Sequence, residues 1–202
     1  MFKKLSVLMA VMVLITGSAM AQTWNIDKAH SSVGFAVRHM VISKVKGYFR
    51  DFDAKATFDG KNIEAATIEA TVKIASVDTD NADRDKHLIS PDFFDAATYP
   101  TMTFKSKKIT KGTGDAFTMT GDLTIRGVTK EVTFTGQFNG VIDDPWGNTR
   151  AGLTAATTIN RQDFNVSWDN KLQDGSLIVA NDVDISLEIE VVKAKEAAAE
   201  GK

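Results

Sequence analysis

The chain has 202 residues, 24 Lys and Arg against 26 Asp and Glu, a formal net charge of −2, and 43% hydrophobic residues. It contains no cysteine, which excludes thiol catalysis, thiolate-bound zinc, disulfides and haem attached at a C-x-x-C-H motif. The mildly acidic balance, with no basic run, offers no footprint for neutralising phosphates, so nucleic acid is not an expected partner.

Residues 1–21 read as an export leader. Lys3 and Lys4 form a basic start, "LSVLMAVMVLI" (5–15) an apolar stretch, and Ala19-Met20-Ala21 a small-x-small cleavage site. That stretch is shorter than the roughly 20 residues a membrane span needs. The mature chain is therefore expected to begin at Gln22, exported and more acidic by two lost lysines.

Period-2 alternation dominates from there on. Val33, Phe35 and Val37 share one face of "SVGFAVRHM" (32–40), and "KGYFRDFDAKATF" (46–58) follows. Ile68, Ala70, Val72 and Ile74 alternate with Thr67, Glu69, Thr71 and Lys73. After a break, Met102 and Phe104 lie opposite Thr103 and Lys105. Phe117, Met119, Leu123 and Ile125 align in the next run, then Val132, Phe134 and Phe138, then "GLTAATTI" (152–159). Val183, Ile185, Leu187, Ile189 and Val191 close the series. Turn signals separate these runs: "FDGKN" (58–62), "KGTGD" (111–115), "RGV" (126–128), "DDPWGN" (143–148) and "QDG" (173–175). About eight strands with one apolar face each fit an up-and-down antiparallel barrel or a sandwich. Gly121 and Gly136, mid-strand, mark a bend or a close approach. No repeat or linker divides the chain, and residues 193–202 read as a tail.

The longest break is "NADRDKHLISPDFFDAATYP" (81–100). Asn81 is placed to cap a short helix carrying Ala82, Asp85 and Leu88, and Ser90-Pro91-Asp92 reads as a second helical start. Asp80–Arg84 and Asp83–His87 are spaced as i,i+4 ion pairs. Two short turns bearing Leu88, Phe93 and Phe94 would cap one barrel end. The Asp-rich run 78–85 fails as a calcium loop: Ala82 takes a ligand position, Asp83 the glycine position, and Ile89 the place of the bidentate Glu.

His30 and His39 are an odd nine residues apart, so one regular strand points them to opposite faces; His39 and His87 could still meet through the fold. No nucleophile elbow, metalloprotease helix, phosphate loop or dinucleotide fingerprint is present. In "TINRQDFNVSWDN" (158–170), Arg161 reads either as an ion-pair partner of Asp163, pinning a corner over Trp168, or as a clamp for an anionic head group.

Four stretches carry a resemblance: "DKAHSSVGFAVRHM" (27–40), "SVDTDNADRDKHLISPDFFDAATYPTMTFKS" (76–106), "LTIRGVTKEVTF" (123–134) and "TTINRQDFNVSW" (157–168). In this order they resemble the YceI-like family of bacterial periplasmic lipid-binding proteins. The resemblance implies an all-β fold: an eight-stranded antiparallel lipocalin-like barrel, residues 22–192, with a short helical insertion around residues 81–97. It also implies a periplasmic location and an elongated apolar ligand: a polyisoprenoid such as a quinone or prenyl pyrophosphate, or a fatty-acid-like molecule. A homodimer and transient membrane contact are left open. By motif, the positions to watch are His30, Phe35, His39, Arg84, His87, Phe93, Phe94, Arg161, Asp163, Phe164 and Trp168. Met40, Met102 and Met119 join the expected lining with Phe104, because flexible Met side chains follow a kinked chain better than branched ones. Gly34, Ala36, Gly121, Gly136 and Ala155 are expected to leave room for it.

The expectation is thus a carrier and not an enzyme, with no catalytic residue, metal or cofactor assigned. Two alternatives stand beside it. One is chemistry, metal-dependent or otherwise, at a His39/His87/Arg84 cluster; the other is a solid-core, stress-related structural protein.

Overall fold

The computed structural model describes residues 21–195; residues 1–20 of the expected leader and residues 196–202 of the expected tail lie outside the described residues. The strands are β1 (Gln22–Ile26), β2 (Ser32–His39), β3 (Ser43–Phe49), β4 (Phe52–Phe58), β5 (Thr67–Lys73) and β6 (Val77–Asp78), followed by the helix α1 (Ala82–Leu88). Then come β7 (Thr101–Lys111), β8 (Ala116–Ile125), β9 (Val128–Asp143), β10 (Thr149–Asn160) and β11 (Val179–Lys193). Every pairing among them is antiparallel.

Six of these segments are halves of three interrupted staves. β1 pairs the far end of β11 (Ile26↔Val191) while β2 pairs its nearer part (Glu188↔Ser32). β4 lies between β1 and β5, and β3 between β2 and β6, so β3–β4 and β5–β6 are also single staves with a kink. The result is a closed, eight-stranded antiparallel barrel in which each stave neighbours the next in sequence and the last returns to the first. Closure leaves no free sheet edge to recruit another chain.

The alternation in the sequence is the alternation of the wall. Along β8, Phe117, Met119, Gly121, Leu123 and Ile125 are all buried, with Thr and Asp between them. The core forms three layers stacked along the barrel. Ile74, Phe93 and Phe164 belong to the layer at the α1 end, Phe117, Met119 and Phe134 to the middle one, and Trp24, Phe58 and Ala151 to the far end. Trp24 is 1% exposed and its Nε1–H donates to the Phe58 carbonyl at 3.0 Å, so the large apolar ring is buried without an orphaned donor.

The insertion is one helix and a series of turns. Asn81 caps α1, its side chain accepting from the Arg84 N–H at 2.9 Å. Ser90-Pro91-Asp92 starts no second helix. The Ser90 hydroxyl donates back to the His87 carbonyl at 2.7 Å, and Asp95, at φ 50°, reverses the chain while its N–H donates to Ser90 O. The two expected i,i+4 ion pairs do not form. Arg84 folds back onto Thr79, with Nε donating to Oγ1 and Nη2 to the carbonyl, both at 2.7 Å. His87 pairs instead with Asp92, Nε2 to Oδ2 at 2.9 Å. The positive φ of Asp80 (58°) turns the chain just before the helix, which leaves Thr79 as the partner within reach.

Candidate ligand-binding site

The inward faces of the staves enclose a cavity of about 220 Å³ whose wall is apolar. β2 supplies Val33, Phe35 and Val37; β5 supplies Ile68, Ala70 and Val72; β7 and β8 supply Met102, Phe104, Met119 and Leu123. Leu88 of α1 and Phe93 and Phe94 of the following turns close the end. A second cavity of about 60 Å³ lies toward Trp24 and Phe58, and Ala54, Ile68, Leu153 and Ile189 wall both. The two spaces therefore run in series, a shape for a slender molecule and not a compact one.

Small residues make the room, though not all those expected. Gly34 and Ala36 alternate with the cavity-lining Val33, Phe35 and Val37, and a Cβ on Gly34 would meet Ser186 and Tyr48 on the outer surface. Gly34 lends its backbone to the cavity wall, whereas Ala36 is not part of it. A Cβ at Gly121 would sit 2.5 Å from both the Lys105 carbonyl oxygen and the Phe104 ring, so this glycine admits a ring and leaves no void. Gly136 likewise admits Phe117. The free space comes from Ala54 and Ala70, register partners on β4 and β5 whose short side chains both face the cavity.

Among the described residues one cation reaches this wall. Arg161, 5% exposed, begins a 3₁₀ turn (Arg161–Phe164) at the end of β10. Its Nε donates to Ala180 O (3.0 Å), Nη2 to Val179 O and Asn181 Oδ1 (3.2 Å each), and Nη1 to Val166 O. Asp163 is exposed and is not its partner, contrary to the sequence expectation. The guanidinium pins the 165–181 segment through carbonyl oxygens, and burial pushes its pKa down. Above this floor, Phe93 stacks on Trp168 at 5.3 Å, and His87 meets both rings edge-on at 5.0 and 5.8 Å. Arg126, in the β8–β9 turn, ties the lid down by donating to the carbonyls of Pro91, Phe93 and Asn165.

A second ionisable group braces the opposite end. Arg150 donates to Asp144, Asp27 and Glu190, each at 2.6 Å. A hydrogen bond from His30, then Arg150, holds the Asp27 carboxyl down to about 2, and Arg150 holds that of Asp144 well below the carboxylate range. Asp27, His30 and Glu190 are, among the described residues, the one set of His, Asp or Glu side chains close enough to share an ion. Arg150 already occupies that position as their counter-ion.

The sequence profile of the YceI-like domain matches residues 24–191. The chain belongs to the YceI-like family. Protein YceI of Escherichia coli O157:H7 is 43% identical over 188 residues, covering 92% of this chain and 95% of that one. Among solved structures, Burkholderia cenocepacia BcnA superposes with a TM-score of 0.72 at 27% identity, over 82% of this chain and 98% of that one. A polyisoprenoid binding domain from Saccharophagus degradans, implicated in plant cell wall breakdown, superposes with a TM-score of 0.65 over 87% of this chain and all of that one. Its 12% identity makes it a likeness of fold.

In this YceI-like barrel, eight of the twelve residues singled out from the sequence as ligand-binding face the cavity: Phe35, Phe93, Phe94, Met102, Phe104, Met119, Arg161 and Phe164. The other four do not line it, nor does Met40. Arg84 is engaged by Thr79; His87 and Trp168 pack on the outer side of Phe93; His39 lies where β2 ends, paired in register with Ser43 and Val179. The sequence reading missed aliphatic wall residues such as Val72, Ile125, Val183 and Leu187. Their signal was the alternation itself: once the fold is a barrel, every inward position is a wall position.

Proposed function

We propose that this protein binds an elongated apolar lipid, a polyisoprenoid such as a quinone or prenyl pyrophosphate, or a fatty-acid-like molecule, along the barrel axis, and carries or sequesters it in the periplasm. The observation that carries this reading is the apolar cavity of about 220 Å³ continuing into a second one. An interior packed to ordinary protein density would have no such space, which counts against the solid-core alternative. Each CH₂ withdrawn from water contributes about 0.8 kcal/mol, so an extended chain gains affinity with length and needs no polar anchor in the wall. The polyisoprenoid-binding description of the Saccharophagus degradans domain, whose fold is shared, supports the ligand class. The basic and apolar leader supports export, and no helix among the described residues is long and apolar enough to cross a membrane. Binding and not catalysis is further supported by the engagement of Arg84 with Thr79 and of His87 with Asp92, which leaves neither polar group aimed into the cavity.

The test is ligand-dependent stabilisation. At a ligand concentration about 100 times Kd, binding adds about 2.7 kcal/mol, or about 5–10 °C in thermal midpoint for a chain of this size. Added ubiquinone or a prenyl lipid should produce that rise in the wild type. An Ala70→Phe variant, with its ring in the cavity, should not respond. Equal response of both proteins, or none from either, would contradict the reading.

A further inference from the structure

The β2–β3 hairpin turns through Met40 and Val41, closed by the Ile42 N–H donating to His39 O at 3.3 Å. Both turn residues have positive φ, 47° and 65°. Two consecutive left-handed residues are what Asn-Gly supplies without strain; a β-branched valine there is strained. Among the described residues, only backbone carbonyl and amide contacts hold the turn, and its apolar side chains are not buried. Met40 is 39% exposed, Val41 56% and Ile42 86%. Among the described residues six large apolar side chains are exposed, and this hairpin carries four of them, Tyr48 being the fourth. Exposed apolar side chains are thus concentrated in the hairpin, with a second, smaller group, Ile142 and Trp146, around the β9–β10 turn.

The charge is local too. Residues 31–50 contain Arg38, Lys44, Lys46 and Arg50 and no Asp or Glu, in a chain of net charge −2. Arg38 and Lys44 are direct cross-strand partners, and Lys46 lies one outward position further on. Like charges placed opposite each other repel. Asp184 of β11 offsets Lys44 at 2.6 Å and feels the charge of Arg38 from further away, and Asp78 pairs with Arg50 at 2.9 Å; among the described residues Arg38 and Lys46 touch no carboxylate. Arg38 Nη1 instead donates to Val41 O at 3.0 Å, which fixes the guanidinium at the tip. The same hairpin's inner face, Phe35 and Val37, lines the cavity, and the Met40 N–H donates to Ile178 O, one residue before the cavity-lining Val179. A strained apolar tip, a basic collar and the cavity wall thus belong to one element.

We propose that the β2–β3 hairpin is a membrane-docking wedge for an anionic phospholipid surface. Met40, Val41 and Ile42 enter the interface, Arg38, Lys44 and Lys46 meet the head groups, and the α1 end of the cavity is brought to the bilayer. The purpose of the wedge rests on the lipid-carrier reading; its test does not. Apolar side chains backed by cations are the combination that holds a protein on a membrane surface without spanning it.

Flotation with phosphatidylglycerol-containing vesicles, against pure phosphatidylcholine, reads the proposal. The purified chain should co-float with the anionic vesicles, and raising the salt from about 0.1 to 0.5 M should weaken binding at least about five-fold. Met40→Asn/Val41→Gly relieves the turn strain, so its thermal midpoint should rise while vesicle affinity falls at least about ten-fold. Ile42→Asp should lose binding as well. No flotation of the wild type, or equal flotation of wild type and variants, overturns the proposal. So does a dimer-to-monomer change on sedimentation with vesicle binding unaltered, which would assign the tip to a second copy of the chain. A protein that floats but holds no lipid would leave the docking intact and remove the carrier reading; one that holds lipid but does not float would do the reverse.

Discussion

Replacing Arg161 by Met removes a cation that no carboxylate touches among the described residues, together with four hydrogen bonds to Val166, Val179, Ala180 and Asn181. Bonds from a charged donor contribute about 1.5 kcal/mol each, hence about 6 kcal/mol for the set. Against this, ending the burial of a charge returns about 3 kcal/mol, because a guanidinium is more weakly hydrated than an ammonium. The net expectation is a loss of about 3 kcal/mol. With a urea m-value of about 2 kcal/mol/M, the unfolding midpoint should fall by about 1.5 M. Amides of residues 166–180 should lose exchange protection ahead of the barrel strands. Arg161→Lys keeps the charge but has no planar fork to span carbonyls from both Val166 and Ala180, so it should be no more stable than the Met variant. A Met variant within about 0.5 kcal/mol of wild type, or a Lys variant that restores it, would refute the reasoning.

Gly121→Ala should cost about 2 kcal/mol in thermal or urea unfolding, since the new Cβ lies 2.5 Å from the Lys105 carbonyl and the Phe104 ring. Phe93→Ala should cost about 3 kcal/mol and, by removing the ring stacked on Trp168, should shift tryptophan emission to the red. Acid should weaken the far end of the barrel. Asp27 has its pKa lowered to about 2 from 3.8, so its contribution is present at pH 5 and is lost as pH falls through about 2. Linkage gives about 2 kcal/mol for that change. Urea melts at pH 5, 3 and 2 should show the decline in the wild type and a flatter profile in Asp27→Asn.

The barrel was legible because its signal is repetitive. Alternation on every stave names the inward face without knowledge of partners, and the caps and turns at Asn81, Arg126-Gly127 and Asp144 are local chemistry. What alternation does not contain is the break within a stave. Asp27–Ser31 separates β1 from β2, and Arg50-Asp51 separates β3 from β4, because the neighbouring stave changes there, and that is tertiary information. The cavity wall was half legible for a related reason. Aromatic and Met positions stand out one by one, whereas Val72 or Leu187 becomes a wall residue only through closure. The polar partners were the least legible. Arg84 had Asp80 at helical spacing but bonds Thr79, and Arg161 had Asp163 two residues away but bonds carbonyls some 18 to 20 positions on. Backbone direction at Asp80, and the path of the 165–181 segment, decide those pairs.

Organic extraction of the chain, exported with its own leader and purified without detergent, followed by mass spectrometry, tests the central claim most directly. A long apolar lipid, of polyisoprenoid mass and near one per chain, should be recovered from the wild type and be missing from Ala70→Phe. A wild-type extract without lipid, from a protein that also fails to take up ubiquinone or a prenyl lipid, would contradict it.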